Sequence, residues 1–158
     1  MNTPVATLYF ISVGVFALGA FQAAIMARGS AYAKTCWTFS ALCLFFSLFQ
    51  LSCGLQFTAS NFQAAMAAHK WVNIFSVLLI PLIWFLVASL EDKASSFRHA
   101  YIVAVLAACV IGYNYVMPHG FRFDAVFQDG LTTLPWGEQM WIFSGEPSLV
   151  FRAMRFMS

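Results

Sequence analysis

The side chains best suited to redox or metal chemistry in this 158-residue sequence are four cysteines and three histidines. The cysteines are Cys36, Cys43, Cys53 and Cys109, and no two of them form the Cys-x-x-Cys pair of redox and zinc sites. All four lie in apolar stretches, where a thiol usually behaves as a small apolar side chain. We therefore predict free thiols and no disulfide.

The histidines do not have the spacing of a haem or metal site. His69 and His99 are expected at opposite ends of the molecule, so they cannot bind one haem from two facing helices. His69 and His119 are expected at the same end, but two histidines leave a metal site incomplete. The sequence also lacks the nucleophile-elbow, zinc-protease and phosphate-loop motifs. It predicts no catalytic residue, no metal and no cofactor.

Five further side chains stand out because they are polar and fall inside otherwise apolar stretches. They are Gln50, His69, Asn73, Asn114 and Tyr115. If these stretches cross a membrane, burying polar groups there is costly and points to a function. Two interpretations stay open. These groups hydrogen-bond to one another and fix the fold, or they line an outward-facing pocket for a small amphiphile or a quinone-like ligand.

The composition indicates what surrounds these residues. Apolar residues make up 61% of the chain and charged residues 9%, and the mean hydropathy is +0.78. A soluble domain carries about 25% charged residues. The net charge of +2 is too small and scattered for a nucleic-acid surface. The composition therefore excludes a soluble enzyme, a disordered tail and a nucleic-acid-binding protein. It predicts a small multi-pass membrane protein whose main partner is the lipid bilayer.

Four stretches are apolar enough to cross the hydrocarbon core as helices, which takes about 20 residues. They cover residues 5–27, 35–57, 61–90 and 99–117. None shows the alternation of a barrel strand. The predicted fold class is an all-α integral membrane protein, with a four-helix transmembrane bundle over residues 1–120. Ser60 followed by Gln63 fits a capping box at the start of the third helix.

Small and hydroxyl-bearing residues recur at helical spacing in two of these helices. The second helix has Cys36, Ser40, Cys43, Ser47, Gln50 and Gly54, and the fourth has Ala104, Ala108 and Gly112. Spacings of three and four place each set on one helix face. Small residues let helices approach closely in lipid. We predict packing stripes, within the chain or against other transmembrane helices in a homo-oligomer or larger complex. A ligand-lined surface is the alternative.

The short loops indicate the orientation, because Lys and Arg favour the cytoplasmic side. Arg28 and Lys34 lie at the first loop, Lys93 and Arg98 lie at the third, and the second loop has neither residue type. This pattern predicts that the first and third loops are cytoplasmic. Both termini are then outside the cytoplasm.

Residues 121–158 combine aromatic side chains with charges, glycine and proline, a composition typical of the membrane interface. We expect an aromatic-rich extracytoplasmic arm with a short hairpin between residues 127–134 and 136–143. A short amphipathic helix is expected over residues 148–157. The most compact polar motif of the arm is Pro135, Trp136, Gly137 and Glu138. We interpret this interfacial motif as a turn.

Several short segments carry a family resemblance. They are His69-Lys-Trp71, Ile80-Pro-Leu-Ile-Trp-Phe85, Tyr115-Val-Met-Pro-His-Gly-Phe121, Leu131-Thr-Thr-Leu-Pro-Trp-Gly-Glu138 and Gly145-Glu-Pro147. In this order, residues 61–147 resemble part of the amino-terminal seven-helix sensory module of bacterial membrane-bound histidine kinases and diguanylate cyclases. The resemblance implies a periplasm-facing receptor for a small or lipid-like signal in the bacterial inner membrane.

The chain departs from that family after residue 147. Helices five to seven and the output domain of the family are absent from these 158 residues. We expect that the chain is a fragment, a degenerate paralogue or a stand-alone relative, and that it does not relay a signal to the cytoplasm by itself.

Three functional hypotheses follow from the sequence. The first is a sensory membrane module that binds a small or lipid-like ligand from the outer side. The second is a non-catalytic accessory or assembly subunit of a larger membrane complex, because the chain is short and lacks catalytic motifs. The third is a membrane redox or quinone-binding subunit.

Overall fold

The computed structural model describes residues 4–127, 131–135, 137, 139–141 and 143–156. Its four long helices are α1 (Pro4–Ala27), α2 (Ala33–Thr58), α3 (Phe62–Glu91) and α4 (Ala94–Val116). Each is long and apolar enough to cross a membrane. The predicted four candidate membrane spans are confirmed.

The fourth helix begins at Ala94 and not at residue 99. Asp92 adopts the left-handed conformation, with φ of 50°, and its N–H donates to the Ala88 carbonyl, which ends α3. The N–H of Ser96 then donates to the Lys93 carbonyl, so α4 starts almost at once. The polar residues of this first turn are compatible with a helix but not with hydrocarbon. A search for apolar stretches therefore places the start too late.

The start of α3 is capped by Asn61. Oδ1 of Asn61 accepts a hydrogen bond of 2.9 Å from the backbone N–H of Ala64. The capping box predicted at Ser60 is therefore wrong by one residue, because asparagine is as good an N-cap as serine.

Helices adjacent in sequence pack against each other, α1 on α2, α2 on α3 and α3 on α4. The polar stripe of α2 reaches α1 through two serine hydroxyls. Oγ of Ser40 donates to the Ala20 carbonyl at 2.7 Å, and Oγ of Ser47 donates to the Val13 carbonyl at 3.0 Å. These bonds require a close approach of the two backbones, which the small residues of the stripe allow.

The other stripe residues of α2 and α4 have different surroundings. Cys43 and Gly54 are buried, and Cys36 is half-buried. In α4, Ala104 is half-buried, whereas Ala108 and Gly112 are exposed. Among the described helices α4 has its main contact with α3, and the residues it buries are Ala100, Ala107 and Asn114. The small residues at 108 and 112 therefore do not pack within the described part of this chain.

The chain continues after α4 into an arm, defined here as residues 121–156. It contains β1 (Phe123–Phe127), β2 (Leu131–Thr133), β3 (Gln139–Trp141), β4 (Ser144–Pro147) and α5 (Leu149–Phe156). The strands β2 and β3 pair antiparallel inside a second antiparallel pair, β1 with β4. The fold is thus not purely α-helical, because the arm folds back on itself through strands.

Candidate functional site

Buried polar residues gather at the end of the bundle where the arm packs. Asn114 is 1% exposed, and His69 and Asn73 are each 4% exposed. We call these three residues the polar layer. The structure therefore brings together three of the five residues that the sequence singled out as a ligand site.

Asn114 joins three parts of the chain. Its Oδ1 accepts a hydrogen bond of 3.0 Å from the backbone N–H of Phe121, at the start of the arm. Its Nδ2 donates to the Lys70 carbonyl of α3 at 3.4 Å. The end of α4 is thus tied to α3 and to the arm by one amide group.

Gly120 makes room for the two asparagines. Its φ is +78°, in the region that favours glycine. A Cβ atom at this position would lie 2.5 Å from Asn114 Oδ1 and 3.0 Å from Asn73 Nδ2. Only glycine therefore fits this turn without displacing the polar layer.

His69 belongs to a hydrogen-bonded chain that ends in the arm. Nε2 of Gln56 donates to the Trp141 carbonyl at 3.3 Å, and this bond fixes the orientation of the Gln56 amide. Oε1 of Gln56 then faces Nδ1 of His69 at 3.2 Å. Because Oε1 can only accept, the ring proton of neutral His69 lies on Nδ1. Nε2 is left with a lone pair and acts as a hydrogen-bond acceptor.

Three buried polar atoms have no hydrogen-bond partner among the described residues. They are Gln50 Oε1, His69 Nε2 and Asn73 Nδ2. The pairs Thr35 with Ser89 and Gln56 with His69 define the antiparallel register of α2 and α3. This register places Gln50 at the depth of residues 74–75, more than one helical turn beyond His69. Its helix face is that of Ser47 and Gly54, which contact α1. The polar layer thus offers one acceptor, His69 Nε2, and one donor, Asn73 Nδ2.

Aromatic rings cover His69. The Phe143 ring centroid lies 4.9 Å from that of His69, and the Phe123 ring stacks on it at 6.0 Å. Phe62, at the start of α3, contacts both Trp141 and Phe143 edge-on, at 5.9 and 5.8 Å. We call Phe62, Phe123, Trp141 and Phe143 the aromatic roof. It consists largely of arm residues, so the position of the arm determines whether the polar layer is covered.

The arm is held closed at its base by Ser148, which is fully buried. Its backbone N–H donates to the Arg122 carbonyl at 3.0 Å, and its Oγ donates to the Phe121 carbonyl. The same Oγ accepts from the N–H of Phe151 at 3.1 Å, which caps α5. One serine thus ties the start of the arm to the start of α5 and caps that helix.

An open cleft lies between α3 and α4 at the same end. Its volume is about 210 Å³, and it is lined by Ala67, Lys70, Trp71, Ile74, Asn114 and Tyr115. Tyr115 is 70% exposed and is therefore not part of the polar layer. Sequence position gives the depth of a residue but not its helix face, and Tyr115 lies on the outer face of α4. We call this space the Lys70 cleft.

No protein-family model, curated protein or solved structure matches the chain.

The other residues with chemical potential do not form a site in the described ranges. No group of three or more His, Cys, Asp or Glu residues there has the arrangement of a metal site. The four cysteines are free thiols. Trp136 and Glu138 of the predicted interfacial motif lie outside the described residues. Gly137, with φ of +86°, donates its N–H to the Leu134 carbonyl in a turn that contains Pro135.

Sequence reasoning missed three residues that position the site. Gln56 falls near the end of the apolar span 35–57, where nothing in the sequence marks it as a partner of His69. Gly120 follows the span 99–117 without a predicted role in the site, and Ser148 is only the first residue of the helix predicted over residues 148–157. For Ser148 a signal was present, since serine directly before an amphipathic segment is typical of an N-cap.

Proposed function

We propose that the chain is a membrane-embedded signal-binding module of a bacterial signal-transduction protein and that it binds a small or lipid-like ligand beneath the aromatic roof. The observation that supports this proposal most is the pair of buried, unpartnered atoms His69 Nε2 and Asn73 Nδ2. A layer with a purely structural role would pair such atoms, because each unpaired buried group costs about 1–3 kcal/mol. Binding sites commonly retain a cost of this kind.

The two atoms define the chemistry of the ligand. His69 Nε2 accepts a hydrogen bond and Asn73 Nδ2 donates one. A hydroxyl group does both, so we expect a single O–H group to bind both atoms. A methyl ether accepts from Asn73 but has no proton for His69. The ligand that fits best is an amphiphile that ends in a hydroxyl group, such as an alcohol, a phenol or a reduced quinone.

The arm connects this site to the outside of the bundle. Trp141 accepts from Gln56 through its carbonyl and donates from Nε1 to the Ala59 carbonyl at 3.1 Å. A ligand that hydrogen-bonds to His69 changes the position of its ring, which is hydrogen-bonded to Gln56. Gln56 is in turn hydrogen-bonded to the Trp141 carbonyl of the arm. Ligand binding is therefore coupled to the position of the arm, which carries the signal to whatever contacts it.

The proposed location is the bacterial cytoplasmic membrane, with the arm and both termini outside the cytoplasm. The charges of the short loops support this orientation, because Arg28, Lys34, Lys93 and Arg98 all lie at the end of the bundle opposite the arm. The ligand then reaches the polar layer from the extracytoplasmic side.

A pair of matched ligands tests the proposal. The chain is reconstituted in lipid nanodiscs, and its thermal unfolding is followed with 1-decanol and with methyl decyl ether. We expect only the alcohol to stabilise the fold, by about 2.7 kcal/mol at about 100 times its Kd. The stabilisation should be absent in Asn73→Leu and in His69→Leu and present in the control Ser52→Ala, whose hydroxyl bonds within α2. Equal stabilisation by both ligands, or stabilisation that survives both leucine variants, contradicts the proposal.

A second candidate function is an accessory subunit of a larger membrane complex. It is favoured by α4, which is the least buried of the four long helices and exposes Ala108 and Gly112 on one face. A Cβ atom at Gly112 would meet nothing within 4 Å. Small residues on an open helix face allow close approach of a helix from another protein.

Mild-detergent extraction followed by a pull-down distinguishes the two functions. An accessory subunit retains a stoichiometric membrane partner that is lost in Gly112→Leu, whereas a self-contained binding module yields a monodisperse chain in both forms.

A further inference from the structure

The Lys70 cleft combines a cation with two amphipathic aromatic side chains at the end of two candidate membrane spans. Lys70 is half-buried, and its Nζ donates one hydrogen bond, of 2.9 Å, to the Met117 carbonyl. An ammonium group has three donors. Within the described ranges, Lys70 has no carboxylate partner. Two of its donors and its charge are therefore available to an anion.

The walls of the cleft indicate where that anion comes from. Trp71 and Tyr115 flank Lys70, and both are exposed on the outside of the bundle. Tryptophan and tyrosine are enriched where lipid headgroups meet hydrocarbon. One helical turn further along the same helix faces lie Leu78, after Ile74 in α3, and Ile111, before Tyr115 in α4. The surroundings thus change from cationic at the helix ends to apolar towards the middle of the spans. A phospholipid matches this order, because its anionic headgroup is followed by apolar acyl chains.

The volume of the cleft suits a headgroup and not a whole ligand. It encloses about 210 Å³, whereas pockets for drug-sized molecules enclose about 300–1,000 Å³. A phosphate group placed here contacts Lys70, while acyl chains attached to it run along the outside of α3 and α4.

We propose that the Lys70 cleft is a phosphate site that binds the headgroup of an anionic membrane phospholipid. The proposal does not depend on the function of the polar layer, because the cleft is lined by Lys70 and Trp71 and by no residue of the aromatic roof. Asn114 is the shared element, since it lines the cleft and donates to the Lys70 carbonyl. A bound lipid therefore stabilises the end of the bundle on which the arm rests.

Three probes separate the sources of the phosphate group. Purified chain in a non-ionic detergent is titrated with phosphatidylglycerol, with diacylglycerol of the same acyl chains and with inorganic phosphate, and bound lipid is measured by native mass spectrometry. We expect phosphatidylglycerol to bind at least about tenfold more tightly than diacylglycerol, because a charge-assisted hydrogen bond contributes that much. Inorganic phosphate should displace the lipid only weakly. If inorganic phosphate displaces the lipid completely at millimolar concentration, the cleft binds free phosphate and the proposed lipid headgroup is wrong.

Variants of the cleft complete the test. Lys70→Gln removes the charge but retains a donor for the Met117 carbonyl, so we expect the fold to persist and phosphatidylglycerol binding to fall about tenfold. Lys70→Arg should restore it. The control is Lys93→Gln, at the opposite end of α3, which should leave binding unchanged. If Lys70→Gln does not fold, a smaller loss is expected in Tyr115→Leu and Trp71→Leu, which retain the Lys70 charge but remove an interfacial ring beside it. Equal affinity for phosphatidylglycerol and diacylglycerol overturns the proposal.

Discussion

Replacing Asn73 distinguishes a structural role of the polar layer from a role in ligand binding. Its Nδ2 is buried and unpartnered in the described part of the chain, so the side chain costs stability in the absence of a ligand. We expect Asn73→Leu to leave the ligand-free protein equally stable or to stabilise it by about 1–3 kcal/mol. Unfolding in mixed micelles measures this. A clear loss of stability would show that Asn73 makes a structural hydrogen bond.

Asn114 is expected to behave in the opposite way. Its Oδ1 accepts from the N–H of Phe121 and its Nδ2 donates to the carbonyl of Lys70. Its removal leaves the buried Phe121 N–H unsatisfied, whereas the Lys70 carbonyl keeps its hydrogen bond within α3. We predict that Asn114→Leu destabilises the chain by about 1–3 kcal/mol, the cost of one orphaned buried group. The same unfolding assay, with Ser12→Ala as an exposed control, measures this. An effect as small as that of the control would contradict the proposed tie between α3, α4 and the arm.

Gly120 and Gly137 form a matched pair for measuring how tightly the polar layer is packed. Their φ values are +78° and +86°, but only at Gly120 does a Cβ atom meet neighbours within 4 Å. Alanine at either position carries the left-handed backbone cost of about 1–2 kcal/mol. Gly120→Ala should cost a further amount of about 1–3 kcal/mol for overpacking. Equal effects in thermal unfolding would mean that the asparagines do not confine Gly120.

The residues of the site are only partly predictable from the sequence. His69, Asn73 and Asn114 are recognisable because polar side chains in apolar stretches need partners. Tyr115 lies near the depth of Asn114 but is 70% exposed, because depth alone does not fix the face of α4. The roles of Gln56 and Gly120 depend on contacts between segments that lie far apart in the sequence, and local sequence patterns do not reveal such contacts.

At the scale of elements, the contact between α1 and α2 depends on small residues. A Cβ atom at Gly54 would lie 3.2 Å from the Phe10 ring, whereas one at Gly112 in α4 would meet nothing within 4 Å. We expect Gly54→Leu to destabilise the bundle by about 1–3 kcal/mol through overpacking. Gly112→Leu should not destabilise the isolated chain, because its side chain meets nothing and glycine is the poorer helix former. Retention of helicity on heating measures both, and equal tolerance of the two leucines would contradict this packing.

The helices were predictable to within a few residues because hydrocarbon thickness fixes their length and composition. The start of α4 was not, because its first turn is polar. The outer pair of arm strands was also not predicted. Pairing of β1 with β4 joins segments that lie far apart in sequence, and no turn motif between them indicates the register.

At the scale of the whole molecule, we propose that the arm and the loop between α3 and α4 lie on opposite sides of a membrane. In a cysteine-free background, a cysteine at Ser144 should react with an impermeant maleimide in intact bacteria. A cysteine at Ser95 should react only after the membrane is permeabilised. The reverse pattern would place the arm in the cytoplasm and overturn the proposed direction of ligand entry.

The central claim is that His69 offers a free lone pair to a ligand hydroxyl beneath the arm. Nitrogen NMR of the chain labelled with ¹⁵N-histidine tests it most directly, with the His69 signals assigned by single substitution of the other two histidines. We predict a proton on Nδ1 and an unprotonated Nε2, whose signal shifts on addition of 1-decanol but not of methyl decyl ether. A protonated Nε2, or a signal that neither ligand changes, would contradict it.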